Sequence, residues 1–184
     1  MDKNSFANNY LLSDAVPVDP TLTVISAEEL ALAIEEFINE RFRGIAKVTI
    51  VPGISQSVLV CTEYMAFFFK QLLAEIYGRV FLNISISSEE NRLSIFISCE
   101  EDIPLTDVQM RSIIKTARNA GLNIYPDRRL IKLTLSYADA ALRRIYAISP
   151  HDGRQIMLSK LCEIFYCGRV YSTVETANTA ITKP

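Results

Sequence analysis

The sequence predicts an α+β fold: a two-layer sandwich whose mixed, mostly antiparallel sheet is covered on one face by helices. Two neighbouring segments, residues 80–86 and 93–98, alternate apolar and polar side chains, as strands with one buried and one solvated face do. The segment from Thr62 to Tyr77 is apolar around most of its circumference, which indicates a helix that lies across a sheet beneath other elements. Amphipathic segments after Ser26 and Thr106 supply further helices for the covering layer.

The length and composition indicate one domain with short tails. A chain of 184 residues buries about 70% of its unfolded surface on folding, and 49% hydrophobic with 22% charged residues is a globular composition. Pro17 and Pro20 interrupt a polar N-terminal stretch. The predicted divisions are a flexible N-terminal arm (1–20), a main domain (21–137), a C-terminal extension packed on the same domain (138–170) and a frayed tail (171–184).

The charge and hydropathy patterns argue against nucleic-acid and membrane functions. The net charge is −2, and the longest basic clusters are Arg128-Arg129 and Arg143-Arg144, whereas nucleic-acid binders concentrate cations on one face. No apolar run reaches the roughly 18 to 20 residues that span a bilayer, and no apolar stretch of a secretion signal follows Met1. We therefore expect a cytoplasmic protein without nucleic-acid or membrane partners.

Neither the cysteines nor the single histidine forms a recognisable metal or catalytic motif. Cys61, Cys99, Cys162 and Cys167 include no Cys-x-x-Cys pair, and zinc sites need four ligands at short paired spacings. His151 precedes Asp152 in a Pro/Gly turn, a pattern more typical of a turn with a helix cap than of acid-base catalysis. We predict buried, reduced thiols, no metal and no catalytic residue.

The first half of the chain contains a capped helix and two short strands. Ser26 and Glu29 predict a capping box, in which the Ser oxygen accepts from the N3 amide and the Glu side chain reaches back. The 3.6-residue period then continues until Gly44. The predicted strands are Lys47–Val51, which Pro52-Gly53 stops, and Ser57–Cys61.

The second half begins with a predicted strand pair whose buried face is continuous across its turn. The residues expected on that face are Val80, Leu82, Ile84, Ile86, Leu93, Ile95 and Ile97. A helix is predicted to open with Thr106-x-x-Gln109, run through Val108, Ile113, Ile114 and Ala117, and stop at Gly121. An alternating strand then leads to Tyr137.

The C-terminal extension leaves two alternatives open. Residues 138–148 fit a helix or a further strand, whereas Gln155 to Tyr166 has the pattern of an amphipathic helix that ends at Gly168. The apolar stripe of this helix covers the domain's own core or forms an interface with a protein partner or a second copy. The residues of the stripe are Ile156, Leu161, Ile164 and Phe165.

The element order from Thr21 to Tyr137 resembles that of the histidine-kinase-like ATPases, the GHKL or Bergerat fold, and in particular the ATP-binding domain of bacterial sensor histidine kinases. The shared order is an amphipathic helix, two strands, a long helix, a hairpin, Ile103-Pro104, another helix, Gly121 and a closing hairpin. The resemblance implies an ATP-binding scaffold from a signalling protein.

The family's long helix carries an Asn that helps to hold magnesium, with an acidic or polar residue four positions earlier. Leu72-Leu73-Ala74-Glu75-Ile76 is similar to the family's Leu-Leu-x-Asn-Ala segment, which places Gln71 and Glu75 at the two polar positions. A carboxylate can bind magnesium, but Glu75 adds negative charge beside a triphosphate. The sequence indicates no Lys or Arg placed to compensate for it.

The other nucleotide-binding elements of the family are replaced or missing. Aligning Ile103-Pro104 with the family's Ile-Pro puts Ser98, or Cys99 with a one-residue slip, at the adenine-reading Asp. Glu100, Glu101 and Asp102 then occupy the glycine loop, where they obstruct backbone approach and repel phosphate. Residues 105–120 hold one helix and leave no room for a lid.

These comparisons favour a degenerate domain without ATP binding that acts as a regulatory or docking module in bacterial signal transduction. This interpretation leans against an enzyme and implies no cofactor. The alternatives are a divergent kinase or ATPase with ATP and magnesium, in which Glu75 holds the metal and Asp102 or Glu100 reads adenine, and an unrelated α+β interaction domain.

Overall fold

Short strands and longer helices alternate along the chain. The computed structural model describes residues 22–145 and 153–165, so the predicted arm 1–20 and tail 171–184 lie outside the described residues. The strands are β1 (Leu22–Ser26), β2 (Ala46–Ile50), β3 (Ser57–Cys61), β4 (Leu82–Glu89), β5 (Arg92–Ser98), β6 (Asn123–Pro126) and β7 (Leu130–Ser136). The helices are α1 (Ala27–Arg41), α2 (Thr62–Ile76), α3 (Asp107–Asn119), α4 (Ala140–Ile145) and α5 (153–165).

Five strands form a mixed sheet in the order β2-β4-β5-β7-β6. Only β2 and β4 are parallel, and the other neighbours are antiparallel. β1 and β3 form a separate antiparallel pair, which a bridge from Val58 to Tyr137 joins to the end of β7. Helices α1, α2, α3 and α5 share the hydrophobic core of the five-stranded sheet, whereas α4 has no buried residue. The predicted α+β sandwich with a mixed, mostly antiparallel sheet is confirmed.

The start of α1 differs from the predicted capping box in one of its two arms. Ser26 Oγ accepts a hydrogen bond from the Glu29 amide at 3.4 Å, as predicted. Glu29 Oε2, however, is buried and has no hydrogen-bond partner among the described residues. A Cβ atom on Gly153, the first described residue of α5, would lie only 2.6 Å from this oxygen. The Glu29 side chain therefore packs against Gly153.

Two apolar residues of the predicted elements lie outside the fully buried core. Val108 belongs to α3, as predicted, but is 71% exposed, and the buried residues of this helix are Ile113, Thr116 and Ala117. Val80 precedes β4, which begins at Leu82, and packs against the core while only partly buried. The segment 138–148, left open between helix and strand, is helical over 140–145, and residues 146–148 lie outside the described residues.

The outer edge of β2 is closed by a side chain of α1. Asn39 Oδ1 accepts from the Val48 amide at 2.8 Å, and Asn39 Nδ2 donates to the Val48 carbonyl at 3.2 Å. The two bonds reproduce the pairing that a neighbouring strand would make with Val48. Because an unpaired edge invites association with other chains, Asn39 also protects this side of the sheet.

Replacing Asn39 by alanine is expected to lower the free energy of unfolding by about 1–3 kcal/mol, because the N–H and C=O of Val48 lose their partners in a partly buried place. Urea unfolding followed by circular dichroism measures the loss. Asn119→Ala, at the exposed end of α3, is the matched control and should stay within about 0.5 kcal/mol of the wild type. Equal stability of the two variants would contradict this role of Asn39.

Candidate functional site

The polar side of α2 meets α3. Gln71 Oε1 accepts from Thr116 Oγ1 at 2.8 Å, and Gln71 Nε2 donates to Ser112 Oγ at 3.4 Å. One turn further along α2, the Glu75 carboxylate accepts from the side-chain amide of Gln109. The two positions that the resemblance assigns to magnesium and phosphate binding are therefore adjacent, and both form hydrogen bonds to α3. We call these contacts the α2–α3 ladder.

Local sequence fixes the ends of α3 so that it lies along α2. Thr106 Oγ1 accepts from the Gln109 backbone amide at 3.3 Å, and Gln109 Oε1 accepts from the Thr106 backbone amide at 2.8 Å, which forms a capping box at the predicted start of the helix. The helix ends at Asn119, and Gly121 follows it with a φ of +89° that suits glycine. The Ala120 carbonyl accepts from the Cys61 amide at 3.2 Å. The side-chain amide of Gln109 thus caps its own helix through Oε1 and donates to Glu75 through Nε2.

Glu75 is a partly buried carboxylate with a cation nearby. Burial raises its pKa above the ordinary value, and the charge of Arg79 opposes that rise. Arg79 Nη1 also donates to the Pro104 carbonyl at 3.3 Å, which ties the end of α2 to the loop before α3. Arg79 is thus a cation near Glu75, although the two side chains form no ion pair within the described residues. The i, i+4 spacing of Glu75 and Arg79 was the sequence signal for it.

Glu75→Gln is expected to be as stable as the wild type at pH 7, or slightly more stable. A carboxyl with a raised folded-state pKa contributes most to stability below its unfolded pKa, and that contribution is lost as the pH rises through the folded pKa. The advantage of the variant should therefore shrink as urea unfolding is repeated from pH 7 down to about pH 4, near the ordinary Glu pKa. A loss of more than about 1 kcal/mol at pH 7 would show instead that the ionised carboxylate stabilises the ladder.

The loop after β5 closes on the turn before β7. Cys99 donates its amide to the Arg129 carbonyl at 3.0 Å, and Asp102 forms an exposed ion pair with Arg129 at 3.1 Å. Ser98 Oγ donates to the Asn83 carbonyl at 3.2 Å, and the Glu100 side chain is exposed. Within the described part of the chain, no hydrogen bond or ion pair joins these loop positions to Gln71 or Glu75.

Helix α5 packs on the body of the domain. Leu161 is fully buried, Ile164 packs against the core, and the Phe165 ring lies 5.0 Å from that of Phe37 and 5.1 Å from that of Phe42. Polar contacts at the borders join Arg154 to Glu36 and Lys160 to Glu63. Three of the four predicted stripe residues therefore pack against the core. The fourth, Ile156, is partly exposed and takes no part in that packing. The buried Met157 was absent from the predicted stripe.

The described residues contain no group of three or more His, Cys, Asp or Glu side chains that could hold a metal ion. Cys61, Cys99 and Cys162 are free thiols, and burial raises the pKa of Cys61. His151 and Cys167 lie outside the described residues. No helix in the described ranges is long and apolar enough to cross a membrane.

No protein-family model and no curated protein matches the chain, but solved structures of histidine kinases do. A histidine kinase of Acinetobacter baumannii, AdeS, matches with 8% identity and a TM-score of 0.49, over 74% of this chain and 77% of that one. The cytoplasmic segment of histidine kinase QseC matches with 11% identity and a TM-score of 0.42, over 74% and 87%. The catalytic domain of histidine kinase ThkA, in a nucleotide-free form, matches with 12% identity and a TM-score of 0.41, over 64% and 96%.

With identities of 8–12% and TM-scores below 0.5, these matches concern the arrangement of helices and strands alone. The chemistry of this chain depends on its own side chains, above all those of the α2–α3 ladder.

Proposed function

We propose that this protein is a degenerate histidine-kinase-like domain that does not bind ATP and acts as a regulatory or docking module in bacterial signal transduction. The observation that carries the proposal is the α2–α3 ladder. Gln71 and Glu75, at the polar positions of the family's long helix, form hydrogen bonds to Thr116 and Gln109 of α3. These polar groups stabilise helix packing in place of a ligand.

The electrostatics of the neighbouring loop support the same proposal. Glu100, Glu101 and Asp102 are exposed, and the only ion pair of this run in the described structure joins Asp102 to Arg129. Exposed ion pairs of this kind contribute about 1 kcal/mol or less. The excess negative charge disfavours a triphosphate, and the proposed module has no cofactor.

A divergent ATP-binding kinase or ATPase is the second candidate. The proximity of Arg79 to Glu75 favours it, because the guanidinium supplies a cation beside the candidate magnesium ligand. In that case Glu75 would hold magnesium, and Asp102 or Glu100 would read adenine. An unrelated α+β interaction domain would share the docking role without any ancestral nucleotide site.

We predict that ATP, ADP and a non-hydrolysable analogue, each at millimolar concentration with magnesium, leave the melting temperature unchanged. A ligand present at 100 times its dissociation constant stabilises a protein by about 2.7 kcal/mol, which raises the melting temperature of a domain of this size by roughly 5–11 °C. Differential scanning fluorimetry and isothermal titration calorimetry test this directly. Saturable binding with a dissociation constant below about 100 μM, abolished by Glu75→Ala, would establish the ATP-binding alternative.

A further inference from the structure

The outer side of α3 carries a row of exposed basic residues. Arg111, Lys115 and Arg118 are spaced i, i+4 and i+7, so they lie on one face of the helix, and each is exposed. Val108 continues the row towards the helix start and is 71% exposed. We call these four residues the α3 stripe. This row is not one of the basic clusters of adjacent residues in the sequence, and its helical spacing was the signal that could have shown it.

The stripe concentrates charge that the described structure does not neutralise. None of the ion pairs among the described residues involves Arg111, Lys115 or Arg118. Within residues 22–145 and 153–165, the Arg111 guanidinium donates only to the Asp107 carbonyl, at 3.2 Å. Like charges at i, i+4 destabilise a helix, so Arg111 and Lys115 repel each other in the isolated domain.

Helix stability alone does not explain the stripe. Arg118 lies in the last turn, where a cation complements the helix dipole. Arg111 and Lys115 lie earlier in the helix, where that effect has faded. Because the opposite side of α3 is engaged by α2 through Gln109 and Thr116, the stripe is the side from which a partner can approach.

We propose that the α3 stripe is a docking surface for an acidic peptide segment of a partner protein. Carboxylates at helical or extended spacing would relieve the repulsion between Arg111 and Lys115, and an apolar residue beside them would cover Val108. The three cations extend over about 10 Å of helix on a chain whose net charge is −2. That footprint suits a short peptide better than a nucleic acid, whose binding proteins neutralise several phosphates. The proposal rests on the docking function above and names its surface and partner chemistry.

A nuclear magnetic resonance titration of the full chain tests the proposal. The probe is a synthetic alanine-rich peptide with one Leu followed by Glu at i, i+4 and i+7, and its counterpart carries Gln in place of Glu. We expect the Glu peptide to shift the amide signals of residues 108–119 and to bind at least about tenfold more tightly than the Gln peptide, since several exposed ion pairs together supply a factor of this size. Binding should weaken as salt is raised.

The double variant Arg111→Glu with Lys115→Glu should lose this binding. Lys47→Glu with Arg92→Glu, at two exposed strand positions, changes the net charge equally and should retain it. Melting curves verify that both variants are folded. Equal losses in the two variants, shifts away from α3, or no preference for the Glu peptide would overturn the proposal. So would tighter binding of a DNA duplex or of phosphatidylserine vesicles. ATP binding without loss of peptide binding would refute the proposed degenerate function but not the proposed docking surface.

Discussion

Leu72→Ala is expected to lower the free energy of unfolding by about 2–5 kcal/mol, as truncation of a buried leucine leaves a cavity. The Leu72 side chain is fully buried on the face of α2 that enters the core. Ile95→Ala truncates a buried side chain of the same core on the sheet side, in the central strand β5. It should lower the free energy of unfolding by a similar amount. Urea unfolding monitored by circular dichroism provides the measurement.

Val108→Ala is the control for these truncations, because it removes methyl groups from a side chain that is 71% exposed. Its effect should remain within about 0.5 kcal/mol. If Leu72→Ala had an effect equally small, α2 would not be the buried centre of the domain. The packing described for the sheet and its helices would then be incorrect.

Phe165→Glu is expected to destabilise the domain by about 3 kcal/mol or more. The substitution removes an aromatic side chain from a cluster with Phe37 and Phe42 and places a carboxylate there without a partner. Loss of this contact should release α5 from α1 and lower the melting temperature by many degrees. Circular dichroism and sedimentation velocity together measure the folding and the association state.

Ile156→Glu is the matched control, since Ile156 belongs to the same helix but not to the packed core, and it should cost about 1 kcal/mol or less. A Phe165→Glu protein that stays folded, and that sediments as a monomer where the wild type is a dimer, would contradict packing within the domain. It would make α5 a homodimer interface. A wild type that is monomeric at all accessible concentrations would exclude the homodimer.

Local patterns were sufficient for most of the secondary structure. The strand Ser57–Cys61 and the start of the helix at Thr106 agree with their predictions, because each depends on residues close together in the chain. The burial of Ile84 in β4 and of Ile95 in β5 was likewise predictable from the alternation of apolar and polar residues, since successive side chains of a strand face opposite sides. The exposure of Val108 was not predictable in this way, because helical periodicity alone does not say how wide the contact of a short helix will be.

The sequence by itself determined the α+β class, the order of the elements and which face of each is apolar, since these follow from backbone period and short-range capping. Only the tertiary structure decided which polar groups meet. Gln71 bonds to Thr116, 45 residues away, and Glu75 to Gln109, 34 residues away. No local pattern encodes such pairs, because the way α2 and α3 pack depends on the whole core. The same packing leaves Arg111 and Lys115 together on the outer face of α3, where a partner can reach them.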